Sequence, residues 1–302
     1  MRRTVILLFF ATVMAQFSRA EERLLTRPIN SPSLNSARTI RIYLPPSYYG
    51  ELKRRYPVLY LHDGQNVFSS AGTNACFGWG NWELDTTVDE LCKAGRMEEI
   101  IMVGVDSSAS RVAEYWGSHH GTNSAANTEF EKYDSFLIQE LKPKIDSEYR
   151  TKSEPKHTGV MGSSMGGICS IILAWDHPEV FGRAASLSGA FQVDTNFLQD
   201  ILRPYHGNAK PTRLYLDSGA VDFTGGDDGR RSTEAVAKEF ERIGWGKELM
   251  HYVDEKPLAP AELEKAGLRR DKWSEAQTSQ HNEFYWRLRV WRALTFLFPP
   301  AK

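Results

Sequence analysis

Short apolar runs alternate along the chain with longer stretches in which apolar residues recur at helical spacing. Residues 38–44 alternate as a half-buried strand does and are closed by Pro45-Pro46. Residues 57–61 form a second, continuously apolar strand that runs into His62-Asp63-Gly64. Further strands are predicted at 100–105, 157–161, 184–187, 213–216 and 248–253. Helical periods occupy 84–94, 130–145, 168–175, 233–243 and 283–298. Buried strands alternating with helices predict an α/β fold whose central sheet is mostly parallel, with helices on both faces. No repeat and no Pro/Ser/Gly linker divides residues 21–302, so they read as one domain. Two polar segments, 106–128 and 254–280, exceed ordinary connection lengths and are expected to form lids or binding walls.

The N-terminus stands apart from this pattern. Met1-Arg2-Arg3 is basic, residues 4–17 are almost wholly apolar, and Ser18-Arg19-Ala20 places small residues two apart. That is the pattern of a secretory signal peptide cleaved near Ala20. The apolar run falls short of the ~20 residues a membrane span needs, so the expected product is secreted or periplasmic. Over the whole chain 37 Lys+Arg face 38 Asp+Glu. Removing three arginines with the signal leaves 34 basic and 38 acidic side chains, a formal charge of -4. This excludes the basic footprint of a nucleic-acid binder. The 41% hydrophobic content excludes wholesale disorder. In an exported protein Cys76 and Cys92 are possible disulfide partners, while Cys169 reads as core. The three cysteines have no metal-ligand spacing, and the adjacent His119-His120 point apart on regular backbone, so no metal site is predicted.

Gly162-Ser163-Ser164-Met165-Gly166 carries the chemistry. It matches G-x-S-x-G, is preceded by the strand at 157–161 and is followed by the apolar helical run at 168–174. A sharp strand-to-helix turn of this kind exposes the central serine, here Ser164, with helix N–H groups beside it. A serine needs a base, and the order serine, acid, histidine puts that base near the C-terminus. Of the downstream histidines, His281 ends the long polar segment just ahead of the last helix and is the expected base. The acid should follow the strand at 213–216, where Asp217 and Asp222 lie, with Asp227 and Asp228 close behind. Asp222, past Gly219 on the loop crest, is favoured over Asp217 and Asp227. Oxyanion donors are expected from the backbone N–H groups of Gln65, after the strand at 57–61, and of Met165. In the segment 106–128, Arg111, Tyr115 and Trp116 have the chemistry to stack on a sugar or aryl group and bond its hydroxyls.

Taken as a set, Arg41-Ile42-Tyr43-Leu44-Pro45-Pro46-Ser47-Tyr48, the run from Tyr56 to Phe68, the elbow, and His281-Asn282-Glu283 ahead of a Trp/Arg helix resemble one esterase family of α/β-hydrolases. That family includes esterase D-like, feruloyl, acetyl xylan and enterochelin esterases. The resemblance runs from about residue 38 to 298 and implies an α/β-hydrolase fold. It also implies hydrolysis of a carboxylic ester on a serine, with neither metal nor organic cofactor. Ser164 and His281 carry over directly, Asp222 less so, since some siderophore esterases lack a usual acid. The expected substrate is a small-molecule or oligosaccharide ester, of the feruloyl or acetyl xylan type. A mycolyltransferase-type acyl transfer, a siderophore ester and a non-catalytic carbohydrate-binding relative stay open as alternatives.

Overall fold

The computed structural model describes residues 22–117 and 124–300. The signal-peptide segment 1–20 and His119-His120 lie outside the described residues. Among these, eight strands form one sheet: β1 (Leu24–Ser31), β2 (Ser36–Tyr43), β3 (Val58–Leu61), β4 (Ile101–Val105), β5 (Thr158–Ser163), β6 (Arg183–Leu187), β7 (Arg213–Gly219) and β8 (Leu249–Asp254). Their order is β1-β2-β4-β3-β5-β6-β7-β8. From β4 to β8 all neighbours are parallel, whereas β1 pairs with β2 and β2 with β4 antiparallel. All seven strands expected from the sequence are present. The eighth, β1, has only Ile29 and Ser31 buried and carries Pro28, which an edge strand tolerates because its N–H side need not pair.

The helices are α1 (Ala75–Gly78), α2 (Leu84–Lys93), α3 (Arg111–Tyr115), α4 (Ser124–Ser135), α5 (Lys142–Glu148), α6 (Met165–Asp176), α7 (Arg230–Ile243), α8 (Pro260–Lys265), α9 (Trp273–Ala276) and α10 (Glu283–Leu297). The single helix expected over 130–145 is instead α4 and α5 joined by a π-wound turn, Phe136–Leu141, just ahead of Pro143, which cannot donate to the helix ladder. Strand residues alternate between two cores. Val58 and Tyr60 of β3 face α4 to α7, while Leu59 and Leu61 face α2 and α10. With both faces covered, β3, β4 and β5 are buried at every residue; β3 and β4 accordingly read as unbroken apolar runs, while β5 mixes Thr158 and Ser163 with small and apolar residues. Helix α6 is buried from Met165 to Trp175 and is accordingly apolar all round.

The polar segment 254–280 is no open loop. Helices α8 and α9 build a small core of Leu263, Leu268 and Ala276 against Phe284 and Tyr285 at the start of α10. Register then fixes where chemistry can occur. Leu61 lies opposite Met161 across the β3–β5 ladder, and His62 N–H donates to the Met161 carbonyl at 3.0 Å. The turns that follow these two strands therefore emerge side by side at the carboxyl edge of the sheet, the edge at which parallel α/β sheets bind ligands.

Candidate active site

Ser164 sits between β5 and α6 with φ 54° and ψ -122°, a conformation that costs a non-glycine residue ~1–3 kcal/mol and is held by its surroundings. Its N–H donates to the Leu187 carbonyl and its own carbonyl accepts from Ala190, each at 3.0 Å. The glycine before the turn is a steric necessity, and the one after it keeps a close fit. A Cβ on Gly162 would lie 2.7 Å from the Gly166 backbone, and one on Gly166 would lie 3.1 Å from the His62 Cβ.

His281 Nε2 is 2.9 Å from Ser164 Oγ. The ring is placed by the start of α10, where Asn282 caps the helix by accepting from Tyr285 N–H. Trp286 and Phe223 present edges to it, with centroids 5.1 and 5.8 Å away. The third member departs from the sequence expectation: His281 Nδ1 meets Asp228 Oδ1 at 2.5 Å, and Asp228 is fully buried. Asp222 closes its own loop instead. Its Oδ1 accepts from Thr224 N–H at 2.8 Å, Thr224 Oγ at 2.7 Å and Gly226 N–H at 2.9 Å. Partial burial pushes its carboxyl up, but those donors more than offset this and hold it below the ordinary range. The chain folds over at Asp222, returns, and tucks Asp228 beneath the end of β7 in a left-handed conformation (φ 54°) just before Gly229 and α7. Asp227 is turned outward to Arg231. Asp217 is buried and paired with Arg289 at 3.1 Å.

Met165 is the first residue of α6 and Gln65 lies in the one-turn 3-10 helix Gly64–Asn66, so neither N–H has an intrahelical acceptor. The loop around Gln65 is clamped from one side by the segment 107–115. Asp63, left-handed at φ 55°, donates its N–H to Tyr115 Oη at 3.2 Å. Its carboxylate accepts from Arg111 Nε and Nη2 at 2.6 and 2.8 Å. The Gln65 amide exchanges two hydrogen bonds with Ser107, at 2.8 and 2.9 Å. Gly64 allows the closest approach, since a Cβ there would be 2.5 Å from the Gly104 backbone. Behind the loop, His62 bonds Tyr133 Oη at 2.8 Å and is buried, which lowers its pKa to about 4 and keeps it neutral.

The substrate-contact expectations are corrected accordingly. Tyr115 is wholly buried and braces the loop around Gln65 through Asp63 N–H. Trp116 packs against the core beneath α6. Arg111 does line the cleft at Ser164 and His281, while paired with Asp63.

The cleft has a volume of about 420 Å³, and besides Gln65, Arg111, Ser164 and His281 its walls include residues given no binding role from the sequence: Phe77, Trp79, Trp82, Phe223, Glu283 and Trp286. Phe77 is 95% and Phe223 76% exposed. Cys76 and Phe77 are consecutive left-handed residues (φ 50° and 58°), and this turn carries the phenyl ring to the cleft. The only sequence signal for this wall is the aromatic and glycine run from Phe77 to Trp82. Burial raises the Glu283 carboxyl above its usual range, opposed by a hydrogen bond with the Cys76 thiol. Cys76 and Cys92 are both free, so the disulfide considered from the sequence is not formed; the Cys92 thiol faces the Glu98 carbonyl at 3.6 Å. A larger cavity of about 710 Å³ at the opposite edge, between Arg54, Asp89 and Glu98, has no histidine in its walls. Among the described residues no group of three His, Cys, Asp or Glu is arranged to hold a metal, and no helix is long and apolar enough to cross a membrane.

Sheet, elbow and histidine position together define an α/β-hydrolase. Within that fold, the family described as "Putative esterase" matches residues 31–292, and the chain belongs to it. An endo-1,4-beta-xylanase/feruloyl esterase of Xylanibacter ruminicola is 29% identical over 164 residues, 53% of this chain and 20% of that protein. The chain spans 57% of the length of another curated relative. Among solved structures, a ferulic acid esterase superposes with a TM-score of 0.64 at 18% identity, covering 91% of this chain and 97% of the other. The enterobactin esterase of Shigella flexneri gives 0.66 at 16% identity, covering 92% of this chain and 59% of that one. The family match supports an esterase, and the solved structures share its fold.

Proposed function

We propose that the protein is an exported serine esterase that cleaves carboxylic esters through an acyl-enzyme on Ser164. The observation that carries this is the continuous line Ser164 Oγ, His281, Asp228, with contacts of 2.9 and 2.5 Å, beside two backbone N–H groups without helical acceptors. Ser164 Oγ attacks the ester carbonyl carbon as its proton passes to His281 Nε2. The oxyanion so formed faces the N–H groups of Met165 and Gln65, and Asp228 stabilises the imidazolium. Collapse breaks the bond to the alcohol, which leaves with the proton from His281. Water then attacks the acyl-enzyme, gives its proton to His281, and the acid departs as Ser164 recovers the proton.

Aryl or acyl esters of carbohydrates are the proposed substrates. Support comes from the aromatic walls Phe77, Trp79, Trp82 and Phe223, which suit planar rings and sugar faces, and from the feruloyl esterase among the relatives. Export is supported by the basic, apolar and small-residue pattern of the first twenty residues. The test is a p-nitrophenyl acetate burst, covalent labelling of Ser164 by a fluorophosphonate, and a panel of feruloyl esters and acetylated xylan. A Ser164→Ala protein with full activity would sink the mechanism. Turnover of the simple acetate but of no carbohydrate ester would sink the substrate class. An exported protein that still begins at Met1 would sink the processing.

A further inference from the structure

We propose that Ser188 and Arg289 are positioning residues of this site, acting through Asp228 to aim one of its oxygens at His281; this rests on the serine esterase reading above. Ser188 follows β6 in a left-handed conformation (φ 45°), and Arg289 lies on α10 with only 2% of its surface exposed. The serine hydroxyl accepts from Trp286 Nε1 at 3.1 Å and from Arg289 Nη2. Both neighbours can only donate, so they occupy the two lone pairs of Oγ. Its single proton is thereby directed to its remaining neighbour, Asp228 Oδ2, at 2.6 Å. A second donor, Gly219 N–H, reaches the same oxygen at 2.5 Å. With Oδ2 saturated from behind, Oδ1 is left to accept from His281.

The same arginine answers an electrostatic problem. Asp217 and Asp228 are both fully buried, and like charges in a desolvated cluster disfavour each other. Arg289 Nε donates to Asp217 Oδ1 at 3.1 Å, and Nη2 lies 3.8 Å from Asp228 Oδ2. Arg289 thus lies between the two buried carboxylates, with the partly exposed Asp254 3.9 Å from its Nη1, and the negative charge left beside His281 is met by the imidazolium that forms as Ser164 attacks. Asp217 is locked into this arrangement by Ser188 N–H and by Tyr215 Oη, each at 3.0 Å. The four charged or hydroxyl groups come from the ends of β6 and β7, the loop before α7, and α10, so α10 delivers both His281 at its start and the charge behind Asp228.

The experiment begins with wild-type hydrolysis of p-nitrophenyl acetate and its loss in Ser164→Ala, which establishes the esterase reading. Ser188→Ala is then compared by kcat, KM, fluorophosphonate labelling rate and thermal midpoint. One hydrogen bond to a charged group predicts a fall of about 10- to 100-fold in kcat and in labelling rate, with KM within about twofold. A merely structural serine would lower the thermal midpoint and leave kcat per labelled site unchanged, and that result overturns the proposal. Arg289→Lys is the second variant, keeping a buried cation but lacking the planar fork that reaches Ser188 and Asp217 together. Reduced kcat at unchanged KM supports the proposal; kcat within twofold of wild type overturns it.

Discussion

Replacing Asp228 with Asn tests the acid assignment, because the surroundings dictate how the amide must sit. In the native site Oδ2 receives Ser188 Oγ–H and Gly219 N–H, while Oδ1 receives the proton on His281 Nδ1. An asparagine amide has one oxygen and one NH2 group. Two donors already occupy the rear position, so the oxygen is drawn there and the NH2 is turned toward His281. A donor facing Nδ1 forces the imidazole proton onto Nε2, which then points at Ser164 Oγ and cannot accept its proton. The wrong tautomer in a triad costs about 10⁴ in kcat, or roughly 5.5 kcal/mol of transition-state stabilisation.

Asp222→Asn is the matched control. All three of its donors converge on one oxygen, which an asparagine carbonyl can replace, so activity is expected within about threefold of wild type and stability within about 0.5 kcal/mol. The assay is kcat for p-nitrophenyl acetate normalised by active-site titration, with thermal melts to establish folding. A folded Asp228→Asn protein that keeps more than a tenth of wild-type kcat, or an Asp222→Asn protein that loses activity by orders of magnitude, would refute the assignment.

Other expectations concern the groups around this line. His62, neutral with its pKa lowered to about 4 by burial, takes up a proton more readily in the unfolded chain. Its contribution is full above about pH 6.5 and is lost as pH falls toward 4, an effect of about 3 kcal/mol. Unfolding in urea at pH 7 and pH 4.5 should therefore show a smaller acid loss for His62→Gln than for wild type; equal losses contradict the reading. Tyr115→Phe removes the acceptor for Asp63 N–H and should lower kcat about 2- to 10-fold at unchanged KM, as a brace on the oxyanion loop does and a ligand contact does not. Phe77→Ala and Phe223→Ala, at 95% and 76% exposed positions, should leave the thermal midpoint unchanged. Each should still lower kcat/KM for aryl esters by about 2- to 10-fold more than for acetyl esters. Equal effects on both substrates would remove these rings from the specificity of the cleft.

What the sequence disclosed follows from how locally each feature is determined. Strands β3 and β4 are buried on both faces, so their environment writes itself as unbroken apolar runs, and the elbow needs small residues at fixed offsets because Gly162 and Gly166 touch. His281 was legible because the end of a polar segment against a final helix is a local event. Strand β1 was not, since an antiparallel edge with two buried residues carries almost no pattern. Which carboxylate meets His281 escapes the sequence for a related reason. Spacing placed a carboxylate-rich loop after β7, but which of Asp217, Asp222, Asp227 and Asp228 returns beneath the sheet depends on how the loop folds over itself. The Asp-Asp-Gly step ahead of α7, where Asp228 is left-handed, was the one local trace of that return.

The segment containing Arg111, Tyr115 and Trp116 shows how residue type can suit one task while position assigns another. An arginine and two aromatic rings are apt for binding a sugar, yet α3 turns Tyr115 onto the Asp63 N–H and Arg111 onto the Asp63 carboxylate, so the chemistry of these two is applied to the loop that holds Gln65. The aromatic wall is supplied instead by the turn at Phe77 and by the loop that Asp222 closes, which carries Phe223. Asp222 is thus tied to the site after all, though not by contact with His281: by closing the loop between β7 and α7 it sets both the Phe223 ring that lines the cleft and the return of the chain to Asp228. A variant that breaks this closure, Asp222→Leu, should consequently impair aryl ester turnover more than Asp222→Asn does, through Phe223 and Asp228 together. Equal kcat/KM values for the two variants would separate the loop from the site.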